Sequence, residues 1–216
     1  MGLLDILLGR TRPVAPDLDR LFALPSAAVT LQAAAGFTPT GRGAVCFATV
    51  EGAAFDDVRK EVQALLDADA ERTGAPVELV RDEYGYSWLV SRRGPEDLPA
   101  LVGDLHAVNS ALEASGFGPQ LLCSVVWFER AERAGGEGDR LGLVYLYKRG
   151  TFYPFSPLTG GDGSGDGRGN GHVDGRGDHQ RRDNALELQV RAALAGELRV
   201  EQDLSRWFPV WGAPGL

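Results

Sequence analysis

The sequence predicts an α+β domain in which an antiparallel sheet carries helices packed on one face. Two amphipathic helices are the first sign of it. Phe55, Val58, Val62, Leu65 and Leu66 share one face of the first, and Leu98, Leu101, Val102, Leu105, Val108 and Leu112 share one face of the second. Spacing of i, i+3, i+4, i+7 is that of helices lying on a sheet. The second sign is that apolar runs of strand length flank both helices. The third is Asp82 to Gly85, which reads as the tight connection of a hairpin between the middle two runs. The order is β-α-β-β-α-β with one or two added strands, the signature of a ferredoxin-like split β-α-β layer. The α+β fold of small secretion chaperones is the alternative, since one sequence leaves strand order open.

Each element has a local reason. Gly2 to Leu8 is apolar and long enough for two helical turns; Arg10 and Arg12 follow, and Pro13 and Pro16 stop it. A helix so short needs outside support. Asp17 to Leu24 reads as a short helix capped by Asp17 and broken by Pro25. Ser26 caps a further helix through Ala35, closed by Gly36. The core is expected to begin at Gly43, with Ala44 to Val50 as a buried strand and the Phe55 helix closed by Thr73-Gly74. Val77 to Arg81 and Tyr86 to Arg92 form the hairpin strands. Pro95 opens the second helix and Gly116 closes it. Leu121 to Phe128, Leu141 to Lys148 (after a polar turn at Gly135 to Asp139) and Thr151 to Phe155 supply the remaining strands. Asn184 caps a last helix with Leu186, Val190, Ala193, Leu194 and Leu198 on one stripe.

About half of Gly160 to Gly177 is glycine, and the rest is mostly polar. Such a tract buries too little apolar area to offset its ordering entropy and is expected to be a flexible linker. The chain therefore divides into an apolar N-terminal segment (1–16), an α+β core (17–158), a glycine-rich linker (159–183), and a C-terminal helix with an aromatic tail (184–216) packing on the core or on a partner.

With 216 residues the chain can bury one sizeable core. Its net charge of -8 and pI of about 4.9 disfavour nucleic acid, whose affinity comes from clustered Lys and Arg. Cys46 and Cys123 sit far apart within apolar runs and read as buried, reduced thiols, neither a disulfide framework nor a metal-ligand spacing. No run approaches the roughly 20 apolar residues that cross a bilayer, and the start fits neither a signal peptide nor a myristoylation site. A cytoplasmic protein is expected.

Candidate chemistry is thin. Asp162 to Gly167 resembles half of an EF-hand loop, but the position for the bidentate Glu holds Val173. Arg176-Gly177-Asp178 matches an adhesion tripeptide by chance. His172, Asp174, Asp178 and His179 are competent ligand types, yet binding would have to order a glycine-rich loop at about 1–2 kcal/mol per residue. No cofactor and no metal are expected. His106 reads as a satisfied residue beside its helix stripe. No catalytic triad, nucleophile elbow or phosphate loop is present. Asp82 and Glu83 beside Tyr84, Tyr86 and Trp88 form the best polar and aromatic cluster, a hairpin turn with cross-strand packing in preference to paired catalytic carboxylates.

Contact surfaces are better represented. Leu3, Leu4, Ile6, Leu7 and Leu8 can lie on a membrane surface with Arg10 and Arg12 facing anionic headgroups, or dock on the protein's own core. Trp207, Phe208 and Trp211 are residue types favoured at binding hot spots, though anchoring the last helix across the sheet is the preferred reading.

Five stretches resemble the PspAB family of PspA-associated proteins, found mainly in actinobacteria. They are Leu21 to Ala28, Thr40 to Phe47, Asp82 to Trp88, Tyr147 to Phe155 and Asp203 to Pro209. The resemblance spans nearly the whole chain apart from the glycine tract. It implies a place in a phage-shock-type envelope stress response, beside the membrane-remodelling protein PspA and an HtpX-type membrane protease. The chain has no H-E-x-x-H motif of its own. The expected function is that of a non-catalytic accessory or adaptor protein acting through protein contacts near the inner membrane surface. The alternative is a hydrolase or small-ligand-binding domain using Asp82 to Trp88.

Overall fold

The computed structural model describes residues 16–49, 52–67, 77–130, 139–158 and 180–216. Its frame is a six-stranded antiparallel sheet built from β1 (Thr38–Ala48), β2 (Glu78–Arg81), β3 (Tyr86–Arg92), β4 (Leu121–Arg130), β5 (Asp139–Leu146) and β6 (Thr151–Phe155), in the order β2-β3-β1-β4-β5-β6. Among the described residues four α-helices accompany it: α1 (Leu24–Ala35), α2 (Ala53–Asp67), α3 (Leu98–Leu112) and α4 (Asn184–Leu194). The fold is therefore α+β. β1 sits between β3 and β4, so each of α2 and α3 links two strands that have a third between them.

Side-chain alternation assigns the two faces. Val45 and Phe47 of β1, Ser91 of β3, Ser124 of β4 and Tyr145 of β5 point toward the helices. Ser91 donates to Asp104 of α3, Asn109 of α3 donates to the Ser124 hydroxyl at 2.9 Å, and the Tyr145 hydroxyl donates to the Asp17 carbonyl at 2.8 Å. Phe55 meets the Phe47 ring at 5.2 Å and the Phe117 ring edge-on at 5.1 Å, fixing α2 over the end of β1. Phe55, Val62 and Leu66 of the predicted stripe are buried and Val58 is half-buried, while the Leu65 side chain lies outside the description. All six residues of the α3 stripe are buried.

Several local expectations change. Asp17 caps nothing: its carboxylate pairs with Arg20 at 2.7 Å, and Leu18–Ala23 is a 3-10 helix. Pro25 does not break that turn but lies in the first turn of α1, where its missing N–H costs nothing. Ser26 is consequently inside the helix, and its hydroxyl donates to Glu197 at 2.8 Å. Gly36 closes α1 at φ 75°, as expected. β1 begins at Thr38, not at Gly43 or Ala44, because Thr38 and Pro39 pair with Glu129 and Phe128 before a register shift. α3 opens at Leu98 and not at Pro95, with Asp97 capping it by accepting from the Ala100 N–H. Asp183, not Asn184, caps α4 in the same way. A two-residue ladder, β7 (Pro157–Leu158) with β8 (Arg181–Arg182), had no signal in the sequence. The Thr73-Gly74 stop, the turn before Asp139, the calcium-like loop, the tripeptide and the His172 cluster lie outside the described residues. His106 is half-buried, with Asp19 at 3.4 Å and the Phe22 ring at 4.8 Å.

The C-terminal segment crosses from one face of the sheet to the other. α4 packs against α1 and β6. After it the backbone runs alongside β6, with the Phe152 N–H donating to the Arg199 carbonyl and the Glu201 N–H to the Phe152 carbonyl. The tail then lies on the face opposite the helices. Trp207 stacks on Tyr153 at 6.0 Å, Trp211 meets Phe155 edge-on at 4.9 Å, and the Trp127 indole N–H donates to the Pro214 carbonyl at 2.9 Å.

Candidate functional site

The tail covers its face of the sheet incompletely. A groove of about 790 Å³ remains between the sheet, the β2–β3 hairpin and residues 206–212. Its floor follows directly from register. Trp88 of β3 pairs with Cys46 of β1, Cys46 with Cys123 of β4, and Cys123 with Leu146 of β5. Partners in a ladder project to the same side, so these four side chains form one row across four strands. Tyr153 adjoins the row, and Phe208, Val210 and Trp211 wall it from above.

Polar groups on the floor are already bonded to partners within the protein. The Tyr153 hydroxyl donates to the Phe208 carbonyl at 2.6 Å, and burial pushes this phenol well above its ordinary pKa. The Trp88 indole N–H donates to Asp82 at 2.8 Å. The Cys46 thiol is pushed up, first by its hydrogen bond with Cys123 and then by burial, so it stays protonated and is a poor nucleophile.

Asp82 is the acidic residue that the sequence singled out, and its carboxylate is an organising device. One oxygen accepts the N–H groups of Tyr84 (3.0 Å) and Tyr86 (2.8 Å), closing the hairpin turn; the other takes the Trp88 indole. Gly85 supplies the left-handed residue of that turn at φ 85°. Glu83 is not among the groove-lining residues. Tyr84 (50% exposed), Tyr86 (44%) and Phe208 (62%) are prominent exposed aromatics at the groove. Lys148, Arg149 and Arg206 supply cationic groups to its lining, with Arg149 bonded to Glu201 and Arg206 to Asp203 at 3.0 Å.

Of the sequence-predicted contact residues, Trp207 is buried on Tyr153 and Trp211 half-buried on Phe155, whereas Phe208 faces solvent. Leu3, Leu4, Ile6, Leu7 and Leu8 lie outside the described residues. Sequence reading missed the groove floor, because Cys46 and Cys123 become neighbours only once β1 and β4 pair. The one available signal was two cysteines in strand-like runs.

Glu201 ties the tail crossing to the sheet. Its carboxylate accepts from Arg149, from the Thr151 hydroxyl at 2.9 Å and from the Asp203 N–H at 3.1 Å. Burial alone would raise its pKa, but those three donors outweigh it and the net shift is downward. Glu187 is shifted upward, because burial outweighs its bonds with Arg182 and the Ser156 N–H. A lowered carboxylate stabilises the fold above its ordinary value near 4.5 and loses that contribution as pH falls through the folded value. Glu187 acts in reverse, its contribution present at low pH and declining as pH rises above the ordinary value. Urea unfolding should therefore show an acid-induced loss below about pH 4.5 that is smaller in Glu201→Gln. An equally steep loss in both proteins would remove Glu201 from the account.

Fold and site together define an α+β protein whose main antiparallel sheet carries helices on one side and a tail-covered groove on the other. The chain belongs to the PspA associated protein B family (PspAB), whose model matches residues 1–168 and 173–215. No curated protein and no solved structure matches it. No described helix is long and apolar enough to cross a membrane.

Proposed function

We propose that this protein is a non-catalytic accessory of a PspA-linked envelope stress response, an adaptor acting through protein contacts near the inner membrane surface. The observation that carries the reading is the aromatic trio Tyr84, Tyr86 and Phe208, held out to solvent at the groove by a turn and a tail that are themselves tightly bonded. Exposed aromatics on a preorganised frame are the usual anchors of an interface. The family description supports PspA as a partner, and an HtpX-type protease is the second partner this reading names. Three donors within the protein engage both oxygens of the Asp82 carboxylate, a structural use that weighs against a general base.

The test is capture of PspA by the purified chain. Phe208→Ala combined with Tyr84→Ala should weaken capture at least about thirty-fold, since hot-spot truncations cost about 2 kcal/mol or more. Both side chains are half or more exposed, so thermal unfolding should barely change. Undiminished capture would refute the aromatic surface. Turnover of a small molecule that disappears in Asp82→Asn would refute the non-catalytic reading. Deleting residues 1–12 tests the N-terminal membrane contact separately, by sedimentation with vesicles.

A further inference from the structure

We infer that the groove is a binding site for one long-chain carboxylate, with its hydrocarbon lying over the Cys46–Cys123 floor and its acid group beside Lys148. The inference goes beyond the adaptor reading and does not depend on it.

The first argument is what the floor lacks. Tyr153, Trp88 and the two cysteines carry polar atoms, yet each is spent on a neighbour within the protein. A polar guest would lose its water there and find no partner, at a cost of about 1–3 kcal/mol per group. A hydrocarbon chain loses nothing of the kind. The volume of about 790 Å³ lies within the range of about 300–1,000 Å³ usual for small-molecule sites.

The second argument is charge. The groove's cationic groups are Lys148, Arg149 and Arg206. Glu201 offsets Arg149 and Asp203 offsets Arg206, whereas Lys148 is exposed and has no ion-pair partner among the described residues. One uncompensated positive charge on a chain of net charge -8 selects a single anionic group. Asp82, on the hairpin side beside Trp88, repels that group and fixes the direction of the guest. Acid toward the β5–β6 turn and methyl end toward Trp88 is the orientation that satisfies both charges.

Trp88 and Trp211 line the groove, so the full-length protein reports on its own occupancy through indole emission. Titration with monomeric palmitate should give saturable one-to-one binding. Each shortening of the acid by two methylenes should weaken it by about ten-fold or more. Hexadecyltrimethylammonium should not compete. Lys148→Glu should weaken palmitate binding at least ten-fold with an unchanged melting temperature, because its side chain lies at the surface. Absence of saturable binding, or equal affinity for the cationic and anionic amphiphiles, overturns the inference. So does binding to vesicles of anionic phospholipid without binding of the monomeric acid. Palmitate binding that appears only after residues 1–12 are removed would assign the groove to the chain's own N-terminus and likewise overturn it. PspA capture by the same preparations is a separate readout, so either idea can fail alone.

Discussion

Asp104→Ala should destabilise the protein by about 3–5 kcal/mol, the cost of breaking a buried ion pair from one side. Asp104 of α3 and Arg93, just beyond β3, are 4% and 5% exposed in their side chains. The guanidinium grips the carboxylate through two bonds, Nε to Oδ2 at 2.9 Å and Nη2 to Oδ1 at 2.6 Å, and Ser91 adds a third donor. Truncation removes the carboxylate that the buried guanidinium grips through two bonds, and that loss dominates. For a chain of this size the melting temperature should fall by roughly 6–20 °C. A double-mutant cycle makes the argument sharp. Arg93→Met with Asp104→Leu should recover most of the stability, since a well-packed apolar pair often matches a buried ion pair. If the single and double variants melt together, loss of the ion pair is not what destabilises the single variant.

Gly41→Ala should cost about 3 kcal/mol or more, from two independent sources. Gly41 has φ 72°, a conformation that costs a residue with a Cβ about 1–2 kcal/mol. A Cβ there would also lie 2.1 Å from the Arg93 carbonyl oxygen, a backbone atom that cannot rotate away. The close approach has a purpose: the Arg93 N–H donates to the Gly41 carbonyl at 2.9 Å, tying the irregular start of β1 to the chain leaving β3. Relief of the clash would break that bond and tilt Arg93 away from Asp104. Combined with Asp104→Ala, the substitution should therefore be less than additive. By contrast Gly103→Ala, on α3 with open space around its Cβ, should be neutral or stabilising. Chemical denaturation of the three variants decides the matter, and a Gly41→Ala protein as stable as the parent would exclude the strain argument.

These two positions also show where sequence reading reaches its limit. The α3 stripe and the hairpin were legible because their signals are local: apolar spacing in one case, an Asp-to-Gly turn in the other. The extension of β1 was not. Pro39, Gly41 and Gly43 argue against a strand, and only pairing with β4 across a register shift makes them one. Caps shifted by one or two residues where two candidates stood together, as with Asp183 and Asn184. At the candidate site, Asp82 and the tail aromatics were visible as chemistry but not as neighbours. Gly212 rests against Asp82, a contact 130 residues apart in sequence that no local pattern announces. The buried Arg93–Asp104 pair was hidden for the same reason: an Asp on an otherwise apolar helix looks like a solvated residue until its partner arrives from another element.

The small ladder between β7 and β8 has an engineering consequence. Pro157 opposite Arg182 and Leu158 opposite Arg181 hold the two ends of the glycine-rich stretch side by side, anchored below by the Asp183 N–H donating to the Ser156 carbonyl. The family match itself lapses at 169–172, within that stretch. Once both ends are clamped, doubling the intervening length costs only about 0.6 kcal/mol of closure entropy. A reporter domain inserted between these clamped ends should therefore leave sheet, groove and tail undisturbed.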